Sequence, residues 1–370
     1  MRIAHVTSSL STHGYGVKVV VENLSRETAA LGHDVKVFGL SDPLWAKGDN
    51  SNWQGAPAQV CSVIGPKSFG YAPTLLKQLL DFEPDLVHVH GLWMYPPMCV
   101  LQWHKKTQKP YVLSPHGMLA PIALSYSPLK KAIVSKVFQK KAIIHATALH
   151  ATCKAEVDEI RAYGYEGKII EFPNGIEVID VPDTTKQEFN EIVSIGRLHS
   201  VKGLDQLILA WQTLEASHPK WRLRIIGPAA ENYDLYLHEL INKSGLERIS
   251  IEGAVDTIER NKILASAELF ILPSLNENFA ISVAESLLMG TPVISSKGAP
   301  WQGLVENDCG WWVDTDVESL SSSLKHAMSI PKSKRSNMGA KGRKWIMHEF
   351  NWVNIASKAC QEYKNKMLAV

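Results

Sequence analysis

Glu277 and Glu285 stand eight residues apart in the stretch LPSLNENFAISVAESLLMGTPVI, Leu272 to Ile294. Two carboxylates can accept hydrogen bonds from hydroxyls, so their use depends on what lies between them. The apolar run from Glu268 to Leu272 reads as a buried strand closed by Pro273 and Ser274. Asn276, Glu277 and Asn278 form a polar loop, and a helix fits Ala280 to Met289, with Gly290 as its stop and Pro292 beyond. Glu277 then precedes a helix N-terminus, and Glu285 lies roughly one and a half turns inside it. Amide groups near Phe279 and Ala280 would be free to take a phosphate. A sugar–diphosphate–ribose molecule has that layout of hydroxyls, phosphates and hydroxyls. A helix cap at Glu277 with a solvated Glu285 fits the same residues.

Other residues suit the same chemistry. A strand from Glu191 to Gly196 leads into Arg197 and Lys202, then Gly203 and a helix to about Ser217. Arginine offers a rigid fork and lysine a point charge, so the loop could hold a diphosphate; two exposed cations near a turn are the plainer alternative. His116 follows the strand Tyr111 to Ser114 and precedes Gly117, where it could reach a substrate or serve structure. His88 and His90 alternate on the strand Asp85 to His90. Such a pair could bind a metal, but no third ligand is evident. His90 ends its strand, where open α/β sheets bind ligands. Gly14 and Gly16 follow the first strand, Arg2 to Ser8; they suit a close backbone approach or a tight turn. No G-x-G-x-x-G is present there, so a nicotinamide or flavin site is not expected. Asp314-Thr315-Asp316 reads as the cap of a helix starting near Val317 rather than a metal–diphosphate motif.

These residues are set in a repeating strand–helix pattern that restarts half-way, which predicts two doubly wound α/β domains. The first is expected over 1–178 and the second over 186–350, joined by a polar linker at 178–190. Residues 41–70 carry no firm assignment.

The chain has 370 residues, with 45% apolar and 21% charged residues and a net charge of +2, which gives no sign of a nucleic-acid partner. Five scattered cysteines without a C-x-x-C pair fit a reducing compartment. MRIAHVTSSL turns polar too soon for a signal peptide, and no apolar run spans a membrane. A cytoplasmic location is expected. Between Asp85 and Glu156 there is no carboxylate but there are nine lysines. Lys130, Lys131, Lys136, Lys140 and Lys141 share one predicted helix with Leu129, Ile133, Val134, Val137 and Phe138. The segment 105–141 suits either an anionic membrane surface or a solvated helix face.

The pattern P-S-x-x-E-x-F-x-x-x-x-x-E, followed by x-G-x-P-V-I, resembles the signature of the retaining family 4 glycosyltransferases. The His-Gly loop in SPHGMLAPIAL, Pro173-Asn174-Gly175 and G-R-L-x-x-x-K-G at 196–203 resemble that family in the same order. The wording Ala299-Pro300-Trp301 and Gly310-Trp311-Trp312-Val313 is similar to bacterial members that build O-antigen, capsule or exopolysaccharide. The resemblance implies the GT-B arrangement: an acceptor-binding and a nucleotide-sugar-binding Rossmann-like domain facing across a cleft, with a final helix at 351–370 crossing back to the first. It implies transfer of a hexose from a UDP- or GDP-sugar to a hydroxyl of a lipid-linked saccharide, without metal or cofactor. Arg197 and Lys202 would stabilise the leaving diphosphate, Glu285 hold the ribose, and Glu277 orient the donor sugar. The Phe279 and Ala280 amides would face the distal phosphate, and His116 the sugar. The chain departs from the pattern at Tyr15, between Gly14 and Gly16, and at Asn278 and Ala280, where glycines are frequent; Asn278 would bear on sugar choice. A sugar-nucleotide epimerase, a phosphorylase and a non-catalytic nucleotide-sugar-binding module are the rival functions.

Overall fold

The structure is a computed structural model that describes residues 1–183 and 188–367. It divides into two compact units, Met1–Gly175 with Trp352–Val370, and Ile176–Asn351. Part of the expected linker, 184–187, and the last three residues of the expected final segment lie outside the described residues.

The first unit is built on strands β1 (Arg2–Thr7), β2 (Asp34–Leu40), β3 (Ala58–Cys61), β4 (Leu86–His90), β5 (Tyr111–Ser114), β6 (Ala148–Ala151) and β7 (Ile169–Glu171). They form one sheet in the order β3-β2-β1-β4-β5-β6-β7, and every pairing is parallel. Parallel neighbours require crossovers, and these place helices on both faces. That is why β4, β5 and β6 are buried along their whole length. β3 arises inside the unassigned stretch 41–70. Its Ala-Gln-Val-Cys is too short to show a period.

The last helix, Trp352–Met367, completes this unit. Trp352, Ile355, Ala356, Ala359 and Tyr363 are buried in one cluster with Ile3, Val21 and Leu24. Gly175 lies flat against the Trp352 indole, where an added Cβ would come within 2.5 Å of a ring atom.

The second unit carries β8 (Asn190–Ile195), β9 (Trp221–Ile226), β10 (Ile249–Glu252), β11 (Leu269–Leu272), β12 (Val293–Ser296) and β13 (Gly310–Val313). Their order is β10-β9-β8-β11-β12-β13, again all parallel. In both sheets the strand order reverses beside the first strand, between β1 and β4 and between β8 and β11. Crossovers leave these neighbours in opposite directions and open a crevice at the strands' carboxyl ends. His90 closes β4, and Arg197, Lys202 and Glu277 follow β8 or β11.

Candidate active site

In the second unit the loops after β8 and β11 are laced together. Gly203 has φ +61, and an added Cβ would lie 2.4 Å from the Pro273 carbonyl oxygen. The missing side chain lets the two backbones touch. The Leu275 N–H donates to the Val201 carbonyl at 2.8 Å, and the Glu277 N–H to the Gly298 carbonyl at 2.7 Å. This lacing brings Lys202 Nζ onto Glu277 Oε1. Ser274 Oγ donates to the same oxygen at 2.8 Å. Both side chains are largely covered, at 20% and 14% exposure. Arg197 is exposed, and no hydrogen bond or ion pair holds its guanidinium among the described residues. Gly196, Arg197, Lys202, Leu272 and Pro273 line a small concavity.

Glu277 does not cap the helix. That helix, Ile281–Leu288, starts one residue later than expected, and its N-cap Ala280 makes no side-chain cap bond. Ala280 has φ +62 and ψ +69, a left-handed conformation that costs a residue with a Cβ about 1–2 kcal/mol. Trp301 Nε1 donates to the Phe279 carbonyl at 2.5 Å and holds the turn. The Phe279 and Ala280 N–H groups make no hydrogen bond among the described residues. Asn278 lies half-buried between Glu277 and this turn.

Glu285 is not a solvated residue either. Its side chain is 13% exposed, and Oε1 pairs with Arg260 Nη2 at 2.9 Å. Burial raises its carboxyl above the usual range, and the Arg260 charge opposes that shift. The D-x-D resolves into separate structural roles. Asp316 accepts the Ser319 N–H at 2.9 Å as a helix cap, and Asp314 pairs with Lys297 at 2.8 Å.

In the first unit, Gly14 ends a 3-10 turn with an ordinary φ of −75. An added Cβ there would meet Lys18 Cβ at 2.9 Å, whereas one at Gly16 would meet nothing within 4 Å. Gly14 therefore serves a close approach, whereas Gly16, inside the helix Tyr15–Ala30, faces open space, and neither makes a left-handed turn.

His116 has φ +53 in the loop after β5. Its loop is anchored by Glu156, buried at 1% exposure. The Gly117 N–H donates to Oε1 at 2.7 Å, and Thr152 donates to Oε2 from its N–H and its hydroxyl, both at 2.8 Å. Behind the loop stands a set of histidines. His116 Nε2 and His90 Nδ1 lie 3.0 Å apart, as do His90 Nε2 and His5 Nδ1. His88 shares hydrogen bonds with the Tyr363 hydroxyl at 2.7 Å and Ser114 Oγ at 2.6 Å. Ser114 in turn reaches His150 Nδ1 at 2.7 Å.

His5 supplies the third metal-ligand candidate that the sequence did not reveal, since donor atoms of His5, His88 and His90 lie within 4.8 Å of one another. Both ring nitrogens of His88 and of His90 are already engaged in hydrogen bonds, so the set is a hydrogen-bonded network. His150 of this network and Glu156, which anchors the neighbouring loop, were also unforeseen; they gave no signal beyond a polar residue in a strand and in a helix.

The pattern of the family described as "Glycosyl transferase 4-like domain" matches residues 15–175, and that of "Glycosyl transferases group 1" matches 177–345. The chain is a family 4 glycosyltransferase. The glycosyltransferase is 29% identical to the MMP alpha-(1->4)-mannosyltransferase of Mycolicibacterium hassiacum, over 100% of this chain and 99% of that protein. Its fold matches that of Anabaena Alr3699/HepE in complex with UDP and glucose, with a TM-score of 0.78 at 18% identity over 99% and 100% of the two chains. It also matches WaaG, a glycosyltransferase involved in lipopolysaccharide biosynthesis, with a TM-score of 0.65 at 15% identity over 97% and 99%. The glycosyltransferase therefore has the GT-B fold.

Proposed function

We propose that this glycosyltransferase moves a hexose from a UDP- or GDP-sugar to a hydroxyl of a lipid-linked saccharide, with retention at the anomeric carbon, in surface polysaccharide synthesis. The observation that carries the reading is the pairing of Lys202 with Glu277 beside the unengaged Arg197. The two cations stabilise the departing diphosphate as its charge develops, so the reaction uses no metal, and the donor brings its own leaving group, so it uses no cofactor. Glu277 and Asn278 address the donor sugar, and His116 a sugar hydroxyl. The Phe279 and Ala280 amides take the distal phosphate. Glu285, held by Arg260, accepts the ribose hydroxyls. Gly14 and Gly16 border the substrate in the first unit, and His90, with both ring nitrogens engaged, stands behind His116. The mannosyltransferase relative supports a hexose, HepE a uridine nucleotide, and WaaG a surface-polysaccharide product.

A nucleotide panel tests this reading. UDP or GDP at about a hundred times its dissociation constant should stabilise the protein by ~2.7 kcal/mol. Glu285→Ala should lose most of that gain in a thermal-shift assay. A panel of UDP, GDP, ADP, dTDP and CMP that leaves the melting temperature unmoved would remove the donor assignment.

The acceptor side is read from helix Pro128–Val134, which continues through a π turn, Ser135–Gln139, into Lys140–Ile144. Leu129, Ile133 and Val137 are exposed at 81%, 64% and 63% and recur at four-residue spacing. Lys130, Lys136, Lys140 and Lys141 are exposed around them. An apolar stripe flanked by lysines matches an anionic bilayer surface, consistent with a cytoplasmic enzyme resting on the inner membrane face. No helix among the described residues is long and apolar enough to cross a membrane. Each lysine near such a surface contributes about 1 kcal/mol. Lys140→Glu with Lys141→Glu should therefore weaken binding to phosphatidylserine vesicles at least ~tenfold; equal binding at low salt would retire this contact.

A further inference from the structure

We propose that His90 and His5 are positioning residues that fix which ring nitrogen of His116 carries its proton, through a chain of three hydrogen-bonded imidazoles. The chain runs His116 Nε2 to His90 Nδ1 and His90 Nε2 to His5 Nδ1, each at 3.0 Å. The rings lie nearly parallel, at 12° for His90 and His116 and 24° for His5 and His90. His5 and His90 are fully covered, at 0% and 2% exposure. No carboxylate bonds to any of the three rings among the described residues. Burial keeps them neutral: it pushes His5 and His116 down to about 3, and His90 well below its ordinary value.

A neutral imidazole has one N–H and one lone pair. Each link needs one of each, so the proton on one ring dictates the proton on the next. Only two arrangements satisfy both links. In one, His116 donates from Nε2, His90 passes the donation on, and His5 ends with an N–H at Nε2. In the other, His5 donates from Nδ1, His90 donates from Nδ1, and His116 accepts at Nε2 and keeps its own proton on Nδ1.

The dead end of the chain chooses between them. His5 Nε2 is buried without a hydrogen-bond partner among the described residues. A buried N–H without an acceptor is rarer in proteins than an acceptor left short of a donor. The second arrangement leaves only a bare lone pair there. It makes His116 a donor at Nδ1, the nitrogen for which no hydrogen bond is found among the described residues. His116 then donates to a sugar hydroxyl oxygen. This use of the relay rests on the reading of His116 as a sugar ligand; the tautomer itself does not.

Nitrogen NMR on protein labelled in the histidine rings reads the tautomer directly, with His116→Asn giving the assignment. The wild type should show His116 protonated on Nδ1. His90→Phe cuts both links and should release His116 into a mixture. It should lower kcat about tenfold, the size of one lost or misdirected hydrogen bond, with the donor KM unchanged. His90→Gln can donate to His116 and accept from His5, and should restore the Nδ1 tautomer and most of the turnover. Where His90→Phe does not fold, His5→Leu, which removes only the end of the chain, should release the same mixture. A wild-type His116 protonated on Nε2, or a tautomer unmoved by these variants, overturns the relay. Full turnover in His116→Ala with the tautomer as expected would instead remove His116 from the sugar and leave the relay standing.

Discussion

Arg197→Ala should lower turnover at least about tenfold, and Lys202→Ala about 10²- to 10³-fold, the range seen when one preorganised donor to a developing negative charge is removed. The two differ because their surroundings differ. Arg197 is exposed and unengaged, so its loss touches only what the guanidinium meets in the complex. Its melting temperature should stay at the wild-type value. Lys202 is tied to Glu277. Removing it also leaves that largely covered carboxylate with Ser274 as its remaining hydrogen-bond donor among the described residues, so Glu277 is free to leave its position. Lys202→Ala and Glu277→Gln should therefore be strongly non-additive in a double-mutant cycle. The assay is initial-rate transfer with the donor that the nucleotide panel selects. Near-wild-type turnover in Arg197→Ala would take it out of the site, and simple additivity would separate Lys202 from Glu277.

The first unit should unfold steeply in mild acid. His5, His88, His90, His116 and His150 are held neutral by burial, with His5 and His116 pushed to about 3 and His150 to about 4, and His88 and His90 well below 6.5. Above 6.5, folded and unfolded chains both carry these rings neutral, and pH has little effect through them. Below it the unfolded chain takes up protons that the folded chain refuses, so stability falls as pH falls. Each such ring contributes about 1.4 kcal/mol per pH unit until its folded value is reached. The groups facing the rings are Ser114, the Tyr363 hydroxyl and the Phe172 carbonyl, and none carries a compensating negative charge. A domain stability of roughly 5–15 kcal/mol would then be exhausted near pH 5. Urea melts at pH 7, 6 and 5 should show the midpoint collapsing, and His5→Phe with His150→Phe should flatten the slope. A midpoint constant down to pH 5 would mean that the rings charge in place.

The inner strands of both sheets were legible because two-sided burial writes near-continuous apolar runs. The edge strands β3 and β13 were not, since four half-buried residues leave no such mark. The cationic loop and the two glutamates were legible as residue types, but their partners were not. Nothing in the local sequence ties Glu277 to Lys202 or Glu285 to Arg260, because those contacts depend on the order of strands in the sheet. Of the alternatives left open for the glutamates, the cap is excluded by the helix starting after Ala280, and the solvated side chain by the burial of Glu285 against Arg260. His5 was invisible for the same reason: register alone sets it opposite His88 and places Thr7 opposite His90.

The last helix completes the core of the first unit, and this sets an order of events during synthesis. Trp352, Ile355 and Tyr363 fill the face that Ile3, Val21 and Leu24 leave open, and Tyr363 holds His88. A ribosome adding about 5–20 residues per second leaves Gly175 behind for roughly ten to thirty-five seconds before it reaches Trp352. Throughout that interval the nascent first unit carries an apolar face and an unheld histidine, whereas the second unit can close as soon as it has emerged. The domain made first is thus finished last, and a chain stopped short of Trp352 would expose a sticky sheet face to chaperones and proteases.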